Sequence, residues 1–162
     1  MSKKSVAVEY LDLLKAAEKE AADLYSYISQ TVNASNPELA KLFYDLSQEE
    51  IIHARYFDML KDYQAGSEEL FLATGDTPAT VAAALAEIRK KSDAICFSEK
   101  AIPERELIEA ALFIENGVME KHAIYAVRIT DESLRKLFKS LEFADAGHVQ
   151  RLKQYLAEHE KK

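Results

Sequence analysis

Six side chains in this sequence stand where apolar residues belong. Glu18, Glu50, Glu115 and Asp145 each interrupt a run of apolar residues spaced three and four apart, and His53 and His148 follow two of them at the third position. The result is one ExxH and one DxxH. On a helix, a spacing of three puts two side chains about 60° apart on one face, so each acid and its histidine can neighbour or share one ion. A carboxylate taken out of water costs several kcal/mol unless it is paired or bound to a metal. Four carboxylates and two imidazoles converging inside a bundle are the donor set for two divalent metals bridged by carboxylates. Oxygen-rich, thiolate-free coordination with imidazole suits iron or manganese better than copper or structural zinc. The chemistry that follows is redox, the passing of two electrons to O2 or a peroxide. The alternative is a bundle whose buried polar groups only hydrogen-bond one another.

Positioning these six takes four helices, and the sequence carries four matching seams. The first runs Leu11, Leu14, Glu18, Ala21, Tyr25, Ile28, and the second Leu39, Phe43, Leu46, Glu50, His53, Phe57, Leu60. The third runs Ile108, Ala111, Glu115, Val118, His122, Tyr125, Ile129, and the fourth Leu134, Phe138, Leu141, Asp145, His148, Leu152, Tyr155. Asn36 is the expected N-cap of the second helix, with Pro37 at its first position. Short gaps predict two antiparallel hairpins, first with second and third with fourth. Between them, about 64–103 is long enough to cross the bundle and contains a short helix from Thr77 and Pro78 to Lys91. Two hairpins joined by one long crossover is the ferritin-like connection of an all-α four-helix bundle, here a single domain over 1–162. The halves also repeat: Glu18 and Glu115 are 97 apart, and Glu50 and Asp145, like His53 and His148, are 95 apart. Duplication of a helical hairpin produces such offsets.

Composition narrows the remaining classes. With 162 residues, 4 Gly and 3 Pro, the chain reads as helical and large enough to build a core without staples. One cysteine, Cys96, excludes a thiolate-caged metal within the chain and fits a reducing compartment. A formal charge of −7 argues against nucleic acid and anionic lipid as partners. The apolar run of MSKKSVAVEYLDLL is cut by Glu9 and Asp12, and no 18-residue apolar run exists, so the expectation is a soluble cytoplasmic protein with no membrane contact.

Other polar residues divide by geometry. Tyr25 and His122 each lie seven residues beyond the seam glutamate of their helix, on the same face and about 10 Å along it. Either can act as a hydrogen-bond partner of the site, and His122 as a substitute ligand or a core histidine. Glu20 and Glu120 face away from Glu18 and Glu115. The lysine-ended tail AEHEKK, with His159, reads as solvated fraying.

The segments AAEKEAADLYSYIS, LFYDLSQEEIIHARYF and LFKSLEFADAGHVQRL resemble the first, second and fourth metal-binding helices of rubrerythrin-like proteins, with ALFIENGVMEKHAIY as a less typical third. The resemblance covers nearly the whole chain. It implies Glu18 and Glu115 as single-helix carboxylate ligands, Glu50 and Asp145 as further carboxylates, and His53 and His148 as the imidazoles. It further implies two iron ions, or iron with manganese, and reduction of hydrogen peroxide or O2 in oxidative-stress defence. A homodimer able to exchange helices follows from the same resemblance. A full-length rubrerythrin adds a rubredoxin domain with four cysteine ligands, which one cysteine cannot provide, so electrons must come from a separate donor protein. The family's extra glutamate three residues after the third-helix ligand is Val118 here. Asp145 is a methylene shorter than the family's glutamate, which predicts a more open ion beside His148. An iron-handling ferroxidase is the alternative, though the seven residues after Tyr155 leave no room for a ferritin cage's short fifth helix. A metal-binding bundle without catalytic role is the other.

Overall fold

The computed structural model describes residues 6–66, 71–73, 78–117, 127–129 and 132–159. Among these residues the chain forms five helices and one pair of three-residue strands. In order they are α1 Val6–Val32, α2 Pro37–Gly66, β1 Phe71–Ala73, α3 Pro78–Cys96, α4 Glu104–Asn116, β2 Val127–Ile129 and α5 Glu132–His159. The apolar seam positions become the core: Leu11, Leu14, Tyr25 and Ile28 of α1, Leu39, Phe43, Leu46, Phe57 and Leu60 of α2, Ile108 and Ala111 of α4, and Leu141, Leu152 and Tyr155 of α5 are all buried. Each large side chain among them contributes about 1.5–3 kcal/mol by leaving water, which holds the helices in register against the polar interruptions.

Helix directions follow from a few hydrogen bonds. Asn36 caps α2, its Oδ1 accepting from Leu39 N at 3.0 Å. Its Nδ2 also donates to Tyr155 Oη at 2.7 Å and to Glu104 Oε1 and Oε2 at 3.0 Å. One residue therefore gathers the start of α2, the start of α4 and the end of α5 at the end of the bundle where α1 finishes. Helices α2 and α4 run parallel, and α1 and α5 run against them, as the long crossover requires. Within the crossover, α3 lies along α1. Tyr27 Oη donates to Cys96 O at 3.4 Å, and Arg89 Nε meets Glu20 Oε2 at 3.5 Å. Both contacts have the same offset, 69, so α3 and α1 are parallel. Val81, Leu85, Ile88, Ser92 and Ile95 form its buried face.

The third helix is shorter than its seam predicts. α4 stops at Asn116, and Gly117, with ψ of 124°, turns into extended backbone while its N–H donates to Phe113 O at 2.8 Å. A Cβ on Gly117 would fall 2.7 Å from Phe113 O, so only glycine permits this exit. Asn-Gly is a strong stop signal that the apolar periodicity masks. Val118, His122 and Tyr125 lie outside the described residues, and Ile129 is in a strand, paired with Phe71 rather than in a helical seam. The fourth helix of the expected bundle begins at Glu132. At the other end α5 runs through His159, whose ring stacks on Tyr155 with centroids 4.0 Å apart, so that part of the expected tail is ordered helix. Among the described residues, no helix is long and apolar enough to cross a membrane.

Candidate metal centre

The four seams bring their polar residues to one level. Glu18 from α1, Glu50 and His53 from α2, Glu115 from α4, and Asp145 and His148 from α5 are all buried. Two triads form: Glu18, Glu50 and His53, and Glu50, Glu115 and His148, with one ligand atom of each residue within 4.8 Å of the others. Glu50 belongs to both. Its Oε2 lies 2.9 Å from His53 Nδ1 and its Oε1 2.8 Å from His148 Nδ1, so one carboxylate spans two imidazoles. The two rings stack at 5.4 Å between centroids.

Asp145 belongs to neither triad. Its Oδ1 is 3.6 Å from His53 Nδ1, so the shorter acid sits on the His53 side, and the expected looseness beside His148 does not follow from it. Glu115 also stands beside His148, its Oε2 3.2 Å from His148 Nδ1. Glu115 Oε1 accepts from Tyr25 Oη at 2.7 Å. Tyr25 thus reaches across from α1 to orient the acid of α4, leaving one carboxylate oxygen for the site. Glu20 meets Arg89 on the outer side, consistent with its expected direction.

Sequence reasoning missed Glu49. Its Oε2 lies 2.9 Å from His148 Nε2, and Arg151 grips both of its oxygens at 2.9 and 2.7 Å. At one residue from Glu50 it points about 100° away on the helical wheel, which reads as solvent-facing. The available signal was Arg151, one turn beyond His148. Fixing the outer nitrogen of a ligating histidine sets the ring's orientation and the nitrogen left for the metal.

Electrostatics match this crowding. Burial, reinforced by the charge of Glu115, pushes the Glu50 carboxyl up to about 7. Burial alone would lower His148, but the adjacent carboxylates of Glu115 and Glu50 outweigh it and push the imidazole up to about 11. Burial raises Glu49, yet Arg151 and His148 more than compensate and hold it below the usual carboxylate range. Without metal, His148 is therefore an imidazolium with acceptors at both nitrogens. Its Nδ1 proton stands in for a cation between two acids. Glu50 Oε1, despite its short approach to that nitrogen, makes no hydrogen bond of proper geometry. A buried carboxylate oxygen so placed fits a metal ligand.

Beside the donors is a cavity of about 20 Å3, lined by Glu18, Glu50 and Glu115 and by Ala17, Ala21, Ile88 and Ile114. That is room for one water-sized molecule. Ile88 brings α3 over the site, although α3 supplies no donor.

Two helical hairpins, a parallel crossover and a buried cluster of carboxylates and imidazoles shared among four helices define a ferritin-like bundle with a donor cluster that could hold metal. The model of the rubrerythrin family matches residues 9–156, and the chain belongs to that family. No curated protein and no solved structure matches it significantly.

Proposed function

We propose that this chain is a single ferritin-like domain over 1–162, with its crossover at about 64–103, that binds two iron ions and reduces hydrogen peroxide or O2. The observation that carries the reading is Glu50, a buried carboxylate with one oxygen toward each histidine, at the centre of two donor triads. Glu18, Glu50 and His53 would hold one ion, and Glu50, Glu115 and His148 the other, with Asp145 approaching from the His53 side. Bound irons would supply the two electrons that cleave the O–O bond, taking one hydrogen peroxide and two protons to two waters. A separate donor protein restores the electrons.

The chain's own residues set the conditions. Tyr25 holds Glu115, and Arg151 with Glu49 holds His148, so the ligand atoms meet an incoming ion already oriented. Ala17 and Ala21 keep space beside three carboxylates, and Ile88 and Ile114 bound it with apolar surface. A small uncharged oxidant enters such a space at little desolvation cost, whereas an anion would face three acids.

The test is metal analysis followed by a redox titration. Purified, iron-loaded protein should hold close to two ions per chain. After anaerobic reduction, one equivalent of hydrogen peroxide per chain should restore the near-ultraviolet absorption of the ferric form. Loading below about half an ion per chain, or reduced protein inert to peroxide and O2, would refute the reading.

A further inference from the structure

Helix α3 supplies no donor, yet its buried face carries a polar group that the fold does not use. Ser92 is 4% exposed, and its Oγ has no hydrogen-bond partner among the described residues. A serine inside a helix ordinarily turns its hydroxyl to the carbonyl one turn back. A buried hydroxyl without even that bond is rare enough to need a reason.

Its surroundings supply one. Helices α3 and α4 run antiparallel, since α3 runs with α1 and α4 runs against it. Lys91 Nζ lies 4.8 Å from the centre of the Phe113 ring, which sets their register. At one level, Ile88 and Ile114 border the small cavity beside Glu18, Glu50 and Glu115. About 10 Å further along α3, at the level of Ile95 and Ala110, a surface groove of about 480 Å3 opens between the same two helices. Ser92 lies between the two levels, four residues after Ile88 and three before Ile95, on the buried face that holds all three. Level with it, α4 carries Ala110 and Ala111, both buried and each with a single methyl group for a side chain.

We propose that the oxidant reaches the metal centre along this seam between α3 and α4, and that the Ser92 hydroxyl is the polar step on the way, favouring hydrogen peroxide. The proposal rests on the reading of the site as one that reduces a small oxidant. Hydrogen peroxide donates and accepts hydrogen bonds at both oxygens, and it gives these up on leaving water, where apolar walls replace none of them. A hydroxyl that can donate and accept, and that no backbone group has claimed, returns one midway. O2 has no such bonds to lose and crosses the same seam without help. The mouth also suits a neutral molecule: Lys90 and Lys91 stand there with Glu87, Glu106 and Glu109, so neither sign of charge dominates.

NMR relaxation on chelated protein under raised O2 pressure tests the seam without metal. Dissolved O2 speeds the relaxation of methyl groups it can reach, so those of Ile88 and Ala111 should respond several-fold more than those of Leu39 and Leu60, which are also buried. Equal responses overturn the route. The hydroxyl is tested in iron-loaded, anaerobically reduced protein. Ser92→Ala should be oxidised by hydrogen peroxide about 3–10-fold more slowly than wild type, the effect of one neutral hydrogen bond, and by O2 at an unchanged rate. Ser92→Thr keeps the hydroxyl and should keep the wild-type ratio of the two rates. A ratio unchanged in Ser92→Ala, or lost equally in Ser92→Thr, overturns the role of the hydroxyl. Chelated Ser92→Ala should melt no lower than wild type, because no bond within the protein is lost; a lower melting temperature would give Ser92 a structural partner and overturn that role too. Reduced protein inert to both oxidants refutes the function itself and with it the hydroxyl's role, an outcome that the metal-free relaxation measurement keeps apart from failure of the seam.

Discussion

Replacing Glu50 by glutamine should stabilise the metal-free protein and abolish its metal centre, two opposite outcomes from one oxygen-to-nitrogen change. Glu50 is 1% exposed and its carboxyl is pushed up to about 7 from an ordinary 4.5, first by burial and then by the charge of Glu115. A raised carboxyl favours the protonated form in the folded state, so folding is penalised when Glu50 must carry its charge. The penalty is absent below pH 4.5, grows as pH rises towards 7, and is complete above it. At 1.36 kcal/mol per pH unit it amounts to about 3 kcal/mol. A glutamine side chain has nearly the same shape and no charge to bury, while His148 keeps Glu115 and Glu49 as partners. In chelator at pH 8, Glu50→Gln should therefore melt roughly 6–12 °C above wild type, taking 2–4 °C per kcal/mol for a domain this size. Near pH 4.5 the two should coincide. With iron added the order reverses, because the variant has lost the residue shared by both triads. Calorimetry at the two pH values decides the matter. A variant less stable than wild type at pH 8 in chelator, or an equal difference at both pH values, would show that the Glu50 charge is not the strained element.

Three further outcomes follow from the same geometry. Because His148 is held near 11 and Glu50 near 7, metal binding must displace protons, about one from Nδ1 at pH 8 and more at pH 6; calorimetric titration in buffers of different ionisation heat reads that number directly. Glu49→Ala removes the acceptor at His148 Nε2 and should weaken the second ion about 10–100-fold with helix content unchanged, which competition with a chelator measures. Tyr25→Phe deletes a hydrogen bond to a buried carboxylate but leaves the ring against Phe43, so urea denaturation of the chelated protein should show a loss of about 1.5–3 kcal/mol.

What could be read in advance was whatever obeyed a helical period. The four apolar seams, the Asn36 cap and the crossover helix are local patterns, and the six polar interruptions stand out because water-loving residues in a seam need a reason. The end of α4 was hidden because Val118, His122, Tyr125 and Ile129 continue the apolar period past Asn116-Gly117, and a backbone exit competes with periodicity without altering it. The strand pair joins Phe71 to Ile129, a contact between distant segments that no local pattern encodes. Glu49 and the side taken by Asp145 escaped for a related reason. Which acid meets which imidazole depends on how α2 and α5 are rotated against each other, and that rotation is set by packing among many side chains.

The division of donors between the two hairpins bears on how the protein comes into being. Glu18, Glu50 and His53 all belong to α1 and α2, whereas Glu115 and His148 complete a triad only with Glu50. On a chain emerging from the ribosome, the first three-donor set is entire once α2 has folded. The second must wait until residue 148 has been made, nearly a hundred residues after His53. Domains made in sequence tend to fold N-terminal parts first. The symmetry suggested by the internal repeat is therefore absent from its assembly. One hairpin arrives with a three-donor set of its own, and the other completes one by docking against it.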